Sequence, residues 1–162
     1  MKKGGVVKFK VKVVAVLFLL TTISIAYCQK IEIPDLVDRF KASTDIQQKT
    51  LKEQYRYETM DAKGQVENVV EWKKFDERTD KGQMYYKLIT KPQKTSQSNT
   101  YTLLLYFKNI DEVKDMNEGQ NIVAECVFLD IADDMDTVSV SLFADDFTKE
   151  DKIMFDTLSI GD

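Results

Sequence analysis

The sequence predicts a mainly β, α+β domain: a curled antiparallel sheet or small barrel of about six strands with an N-terminal helix. Three observations predict it. From Tyr55 onward apolar residues recur at every second position, the period of a half-buried strand. Before that, from Asp35 to about Lys52, they recur at helical spacing. Glycine-closed turns at Asp61-Ala-Lys-Gly64 and at residues 77–83 then divide the alternating stretch.

Ahead of these elements, residues 1–28 read as a signal peptide. Lys2, Lys3, Lys8, Lys10 and Lys12 form a basic start without an acidic residue, and Val13 to Ala26 is apolar apart from Thr21, Thr22 and Ser24. Val13 to Cys28 is 16 residues, which as a helix spans roughly 24 Å against a hydrocarbon core of roughly 30 Å. Cleavage is therefore expected rather than a retained anchor. Ala26 and Cys28 supply the small residues of an A-x-A-like site, so the mature chain is expected to begin at Gln29 and to be secreted or periplasmic, touching the membrane only through its leader. Bacterial lipoprotein signals resemble Leu-Ala-Gly-Cys; here Tyr27 occupies a position where they carry a small residue, and a lipid anchor at Cys28 is the alternative.

Loss of the leader changes the electrostatics. It removes five of 23 basic residues and none of 27 acidic ones, leaving 18 against 27, or −9. Such a surface repels phosphate backbones and attracts cations, so nucleic acid is not an expected partner. The remaining 134 of 162 residues suit one domain. Only Cys126 is left, which excludes an internal disulfide, and the chain has no histidine. Ser-His-Asp and Cys-His catalysis and imidazole-based zinc sites fall away with it. No phosphate-binding glycine loop of either common spacing occurs. No metal or cofactor is expected.

The elements follow in order. Residues 29–52 form the helical segment: Leu36, Phe40, Ile46 and Leu51 make a stripe that weakens at Ala42-Ser-Thr-Asp45, predicting an interrupted helix recapped at Thr44 or Asp45, with Asp35 capping the start after Pro34. Residues 53–162 form the antiparallel β domain. Tyr55, Tyr57 and Thr59 lead into the first turn and Val66 to Phe75 returns from it; Met84 to Thr90, with Met84, Tyr86 and Leu88 on one face, stops at Pro92. Tyr101 to Phe107 is apolar on both faces and is expected to be central. One helical turn places Ile110 and Val113 inward and ends at Gly119. Asn121 to Asp130 and Thr137 to Phe143 alternate, joined by an acidic loop from Asp130 to Asp136. Six large apolar residues after Asp145 predict a docked helix over 148–156, with Ser159 to Asp162 frayed.

The strand, helical turn and two strands at the end resemble the closure of an OB barrel. A leading helix followed by "YRYETMDAKGQ" and "YYKLITKP" resembles exported half-barrel carriers of the lipoprotein-sorting type. These resemblances imply the two alternative architectures, an OB-like barrel and a half-barrel carrier.

The chemistry-bearing candidates each have a plain structural reading. Asp130, Asp133, Asp134 and Asp136 offer oxygen ligands but lack calcium-loop spacing, and so read as a solvated turn. The aromatics Tyr55, Tyr57, Trp72, Tyr85, Tyr86, Tyr101, Tyr106 and Phe107 suit cross-strand packing before a stacking platform. Glu58, Glu67 and Glu71 are expected on neighbouring strands, where a carboxylate pair of the glycosidase type would need them. Cys126, sharing a face with Ala124 and Phe128, is expected buried and inert. The function expected is an exported, non-enzymatic binding or envelope-assembly domain that recognises a protein or cell-envelope component. The alternative is a carrier holding an apolar ligand against Trp72, Met84, Tyr86, Leu103 and Leu105.

Overall fold

The computed structural model describes residues 31–74 and 83–158; the expected leader and the expected frayed end at Ser159 to Asp162 lie outside them. Helix α1 (Ile33–Ala42) starts at Glu32 without a side-chain cap; Pro34 lies in the first turn, where its missing N–H is no loss. Asp35 lies inside that turn, against the positive end of the helix dipole, so the expected Asp35 cap is replaced by a favourable charge one step further in. Ile33, Leu36, Val37 and Phe40 form the buried face.

The predicted interruption is present. After Ser43 the helix restarts as α2 (Asp45–Tyr55), with the Thr44 N–H donating to Gln47 Oε1 at 3.0 Å in a capping-box pairing. Unlike α1, α2 buries none of its residues, and Ile46 is 81% exposed, so the expected stripe continues only weakly beyond Phe40. Polar contacts hold α2 instead: Gln48 Nε2 donates to the Phe40 carbonyl at 3.0 Å and Lys52 pairs with Asp130 at 3.1 Å.

The expected turn at Asp61–Gly64 is not formed. Strand β1 (Thr59–Lys74) runs straight through it and serves two partners. Residues 59–65 pair with β5 (Asn121–Asp134), while residues 66–74 pair with β2 (Gln83–Thr90), and a bulge between Val66 and Asn68 bends the strand from one to the other. Gly64 serves a close approach here: a Cβ there would lie 2.9 Å from both Thr90 Cγ2 and Gln93 Nε2. The β1–β2 hairpin is as expected, with Lys74 opposite Gln83; the connection in residues 75–82 lies outside the described residues.

The remaining strands are β3 (Gln93–Lys94), β4 (Thr100–Phe107) and β6 (Thr137–Phe143). As its two apolar faces predict, β4 is central, pairing with β2, β3 and β6. The sheet order is β2-β1-β5-β6-β4-β3, and the additional β2–β4 pairing brings the sheet back on itself. The expectation of a wholly antiparallel sheet needs one correction, because β4 and β6 run parallel. The chain crosses from β4 to β5 on the far side of β6, so β6, antiparallel to β5, returns along β4 in the same direction. The sheet is mixed, and the order of pairings resembles that of the OB-like alternative. In the crossing, the helical turn buries Val113 as expected but leaves Ile110 exposed.

The loop expected at Asp130–Asp136 is also shorter than its sequence suggested. β5 continues to Asp134, a bulge between Phe128 and Asp130 turns Leu129 to the opposite side, and Ile131 resumes the buried alternation. Only Met135, at φ 53, and Asp136 make the turn. The aspartates stay outside, where Asp133 pairs with Lys41 of α1 at 2.7 Å. α1 is tied down again by buried Asp38, which accepts from the Thr95 hydroxyl and, at 2.7 Å, from Asn99 Nδ2.

Helix α3 (Lys149–Leu158) docks on the sheet much as predicted, through Phe155 against Tyr85 and Phe143. Two apolar layers result. Leu103 and Leu105 of β4 and Val138, Val140 and Leu142 of β6 are buried on one face; Tyr85, Leu129, Phe143 and Phe155 make a second cluster under α3. Among the described residues no helix is long and apolar enough to cross a membrane.

Candidate functional site

Parallel strands release the chain at the same end. Because Tyr106 of β4 stands opposite Phe143 of β6, the segments that follow them, Lys108 to Glu112 and Ala144 to Thr148, leave side by side. Between them opens a cleft of about 710 Å³, with Thr59 of β1 and Glu125, Cys126 and Val127 of β5 at its floor. Val127 pairs with both Thr59 and Phe143, which fixes that floor to both sides of the sheet. Phe143 and Phe147 form an apolar wall, ring centroids 5.3 Å apart, and Phe143 lies 5.7 Å from Phe155 of α3.

The lining carries four carboxylates, Glu112, Glu125, Asp145 and Asp146, with Asn109 and Thr148 beside them. Lys108 is the only basic residue among the described lining residues, and its ammonium is already engaged, pairing with Asp151 and donating to the Asp146 carbonyl at 3.1 Å. Burial alone would raise the Asp151 carboxyl, but hydrogen bonds from Lys108 and Thr148 outweigh it and hold Asp151 below its usual range. Asp145 accepts the Lys108 backbone N–H through Oδ2, while its Oδ1 is buried without a hydrogen-bond partner. Glu112 lies within hydrogen-bonding reach of Asp145, and this contact, with burial and the charges of Asp145 and Asp146, raises its carboxyl above the ordinary value. Cys126 is 2% exposed; burial, then the charges of Asp61, Glu125 and Asp145, push its thiol up to about 12. The thiol is held protonated and unreactive, and the cleft is a recess of concentrated negative charge beside an aromatic wall.

The residues singled out in the sequence lie elsewhere. Leu103 and Leu105 are buried in the sheet interior, 1% and 0% exposed, and Tyr86 is half-buried opposite Phe107 and Glu71. Trp72 and Met84 stand in the β1–β2 register opposite Tyr85 and Lys73, and their side chains lie outside the described residues. None of the five lines the cleft. The carboxylate pair expected from Glu58, Glu67 and Glu71 on neighbouring strands is not formed: Glu58 immediately precedes β1, and Glu67 and Glu71 both lie on it, about 13 Å apart over four residues and so farther than a glycosidase pair spans. Among the described residues no group of His, Cys, Asp and Glu is arranged to hold a metal ion.

Glu112, Asp145 and Asp146 were not legible as a site. Their only local signal is an Asp-Asp pair straight after a strand, and the parallel β4–β6 pairing is what brings Glu112 to it. No family model, curated protein or solved structure matches this chain.

Proposed function

We propose that this chain is an exported, non-enzymatic binding domain whose acidic cleft receives a basic segment of a cell-envelope protein. The observation that carries this reading is the convergence of Glu112, Glu125, Asp145 and Asp146 on one recess whose single lysine is already paired with Asp151. A Lys or Arg side chain entering it would meet several carboxylates at once and lay its aliphatic stem along the half-buried Phe147. The overall negative charge would steer such a partner and weaken with added salt. The carrier reading draws no support from this cleft. The test is a titration with hexalysine and, separately, hexaglutamate, followed by backbone amide shifts. Hexalysine should move residues 108–112 and 144–148 in a salt-sensitive way, hexaglutamate should not, and Asp146→Lys should abolish the response. Shifts spread evenly over the acidic surface, or unchanged in Asp146→Lys, would refute the proposal.

A further inference from the structure

The same cleft contains an arrangement whose behaviour does not depend on what binds there. Asp145 sits on the segment leaving β6, and Glu112 on the 3₁₀ turn Ile110–Glu112 leaving β4, so a bond between them would span the cleft from one wall to the other. Asp145 is anchored through Oδ2 to the Lys108 N–H, which leaves Oδ1 buried and without a donor. A buried acceptor in that state is unfavourable until a donor reaches it. An ionised Glu112 has nothing to donate; a protonated one has a single O–H.

We propose that Glu112 and Asp145 form a one-proton clasp across the cleft, closed when Glu112 carries the proton and open when both carboxylates are ionised. Closing adds one proton from solvent, and that proton bridges a Glu112 oxygen and Asp145 Oδ1. Opening returns it and leaves two like charges facing each other.

The surrounding groups set the sense of the switch. Asp146 lies beside Asp145, and Glu125 and the neutral Cys126 thiol approach from β5. Asp61 of β1 adds negative charge near Cys126. Lys108 at the end of β4 would oppose the clasp, but its ammonium is committed to Asp151 of α3. The net field is negative and favours holding the proton, in line with the raised carboxyl of Glu112. A carboxyl raised on folding contributes stability in acid, and that contribution is lost as pH rises from the unfolded value through the folded one. The cleft is therefore tied shut in acid and released, with one more negative charge, toward neutral pH.

The test is a pH titration of the full chain followed by backbone amide shifts, with two variants at exposed Glu112. In the parent, residues 109–112 and 144–148 should move together with one midpoint above the ordinary glutamate value of about 4.3. Glu112→Gln keeps a donor for Asp145 Oδ1, and should abolish that shared transition in residues 144–148, leaving them on its low-pH side. Glu112→Ala removes the donor, and should also abolish that transition but leave them on its high-pH side. Independent titration of the two segments in the parent, or identical spectra for the two variants, would overturn the proposal.

Discussion

Replacing Gly64 with alanine adds a single methyl group to the point where β1 passes under the end of β2. The methyl would lie 2.9 Å from Thr90 Cγ2 and 3.2 Å from Thr90 Cβ. Thr90 is wholly buried and cannot swing aside freely, since its Oγ1 accepts the Leu103 N–H at 3.0 Å and so ties β2 to β4. Gln93 Nε2, also 2.9 Å away, is spent on the Lys63 carbonyl at 3.0 Å. Overpacking of this kind costs about 1–3 kcal/mol, and breaking the Thr90 bond adds about 1–3 kcal/mol if the hydroxyl is displaced. Against that, alanine restricts the unfolded chain and returns about 0.4–1 kcal/mol. A net loss of about 2–3 kcal/mol is expected, read by urea unfolding as a lower midpoint with an unchanged slope. Thr90→Ser in the same background removes the offending methyl and keeps the acceptor, so the cost of Gly64→Ala should fall by at least half. A neutral or stabilising Gly64→Ala, or an equal cost in the parent and Thr90→Ser backgrounds, would refute the reasoning.

Leu105→Ala, at a fully buried position opposite Leu88 and Leu142, should lower unfolding free energy by about 2–5 kcal/mol in the same urea assay, and an unchanged midpoint would make β4 peripheral. Folded protein should react slowly with a thiol reagent at about pH 8 and quickly once denatured, because Cys126 is buried and held protonated; Cys126→Ala should be tolerated better than Cys126→Asp, which buries a charge without a partner. Burial would raise the Asp38 carboxyl, but donors from Thr95, Asn99, Gln97 and Ser96 outweigh it and hold Asp38 below the usual carboxylate range. Its contribution is therefore whole above the unfolded value and lost as pH falls through the folded one. Thermal midpoints of Asp38→Asn and parent should differ near neutral pH and converge in that acid window, and a constant gap would count against the hydrogen-bonded carboxylate.

Elements whose signal is local were legible. The weak stripe at Ala42–Asp45 marked a helix break because Thr44 and Gln47 carry the capping chemistry within four residues of chain. Period-two alternation gave β4 and β6 to within a residue, and it placed Cys126 on the buried face. Misreadings arose where a residue type serves two purposes. Gly64 looks like a turn glycine but is needed for a close approach by Thr90, which is distant in sequence. The aspartates of Asp130–Asp136 look like a loop, although a strand with one face in water can carry them, and Lys41 and Lys52 receive two of them. The cleft was hidden for a related reason: its walls follow two strands that become neighbours only through a parallel pairing, for which the sequence carries no local mark.

That parallel pairing also governs the order in which the chain can assemble. Tyr101 meets Val138 and Tyr106 meets Phe143 only after β5 has been laid down and reversed, so β4 waits for a partner delivered late. Contacts of this separation slow folding. During the wait β4 presents Thr100 to Phe107, eight residues without a charge or a proline and with apolar or aromatic groups on both faces, as an open edge. In the finished protein β2, β3 and β6 cover that edge; in the growing chain another copy can take their place. Refolding yield should therefore fall with protein concentration, and Thr102→Lys should recover it.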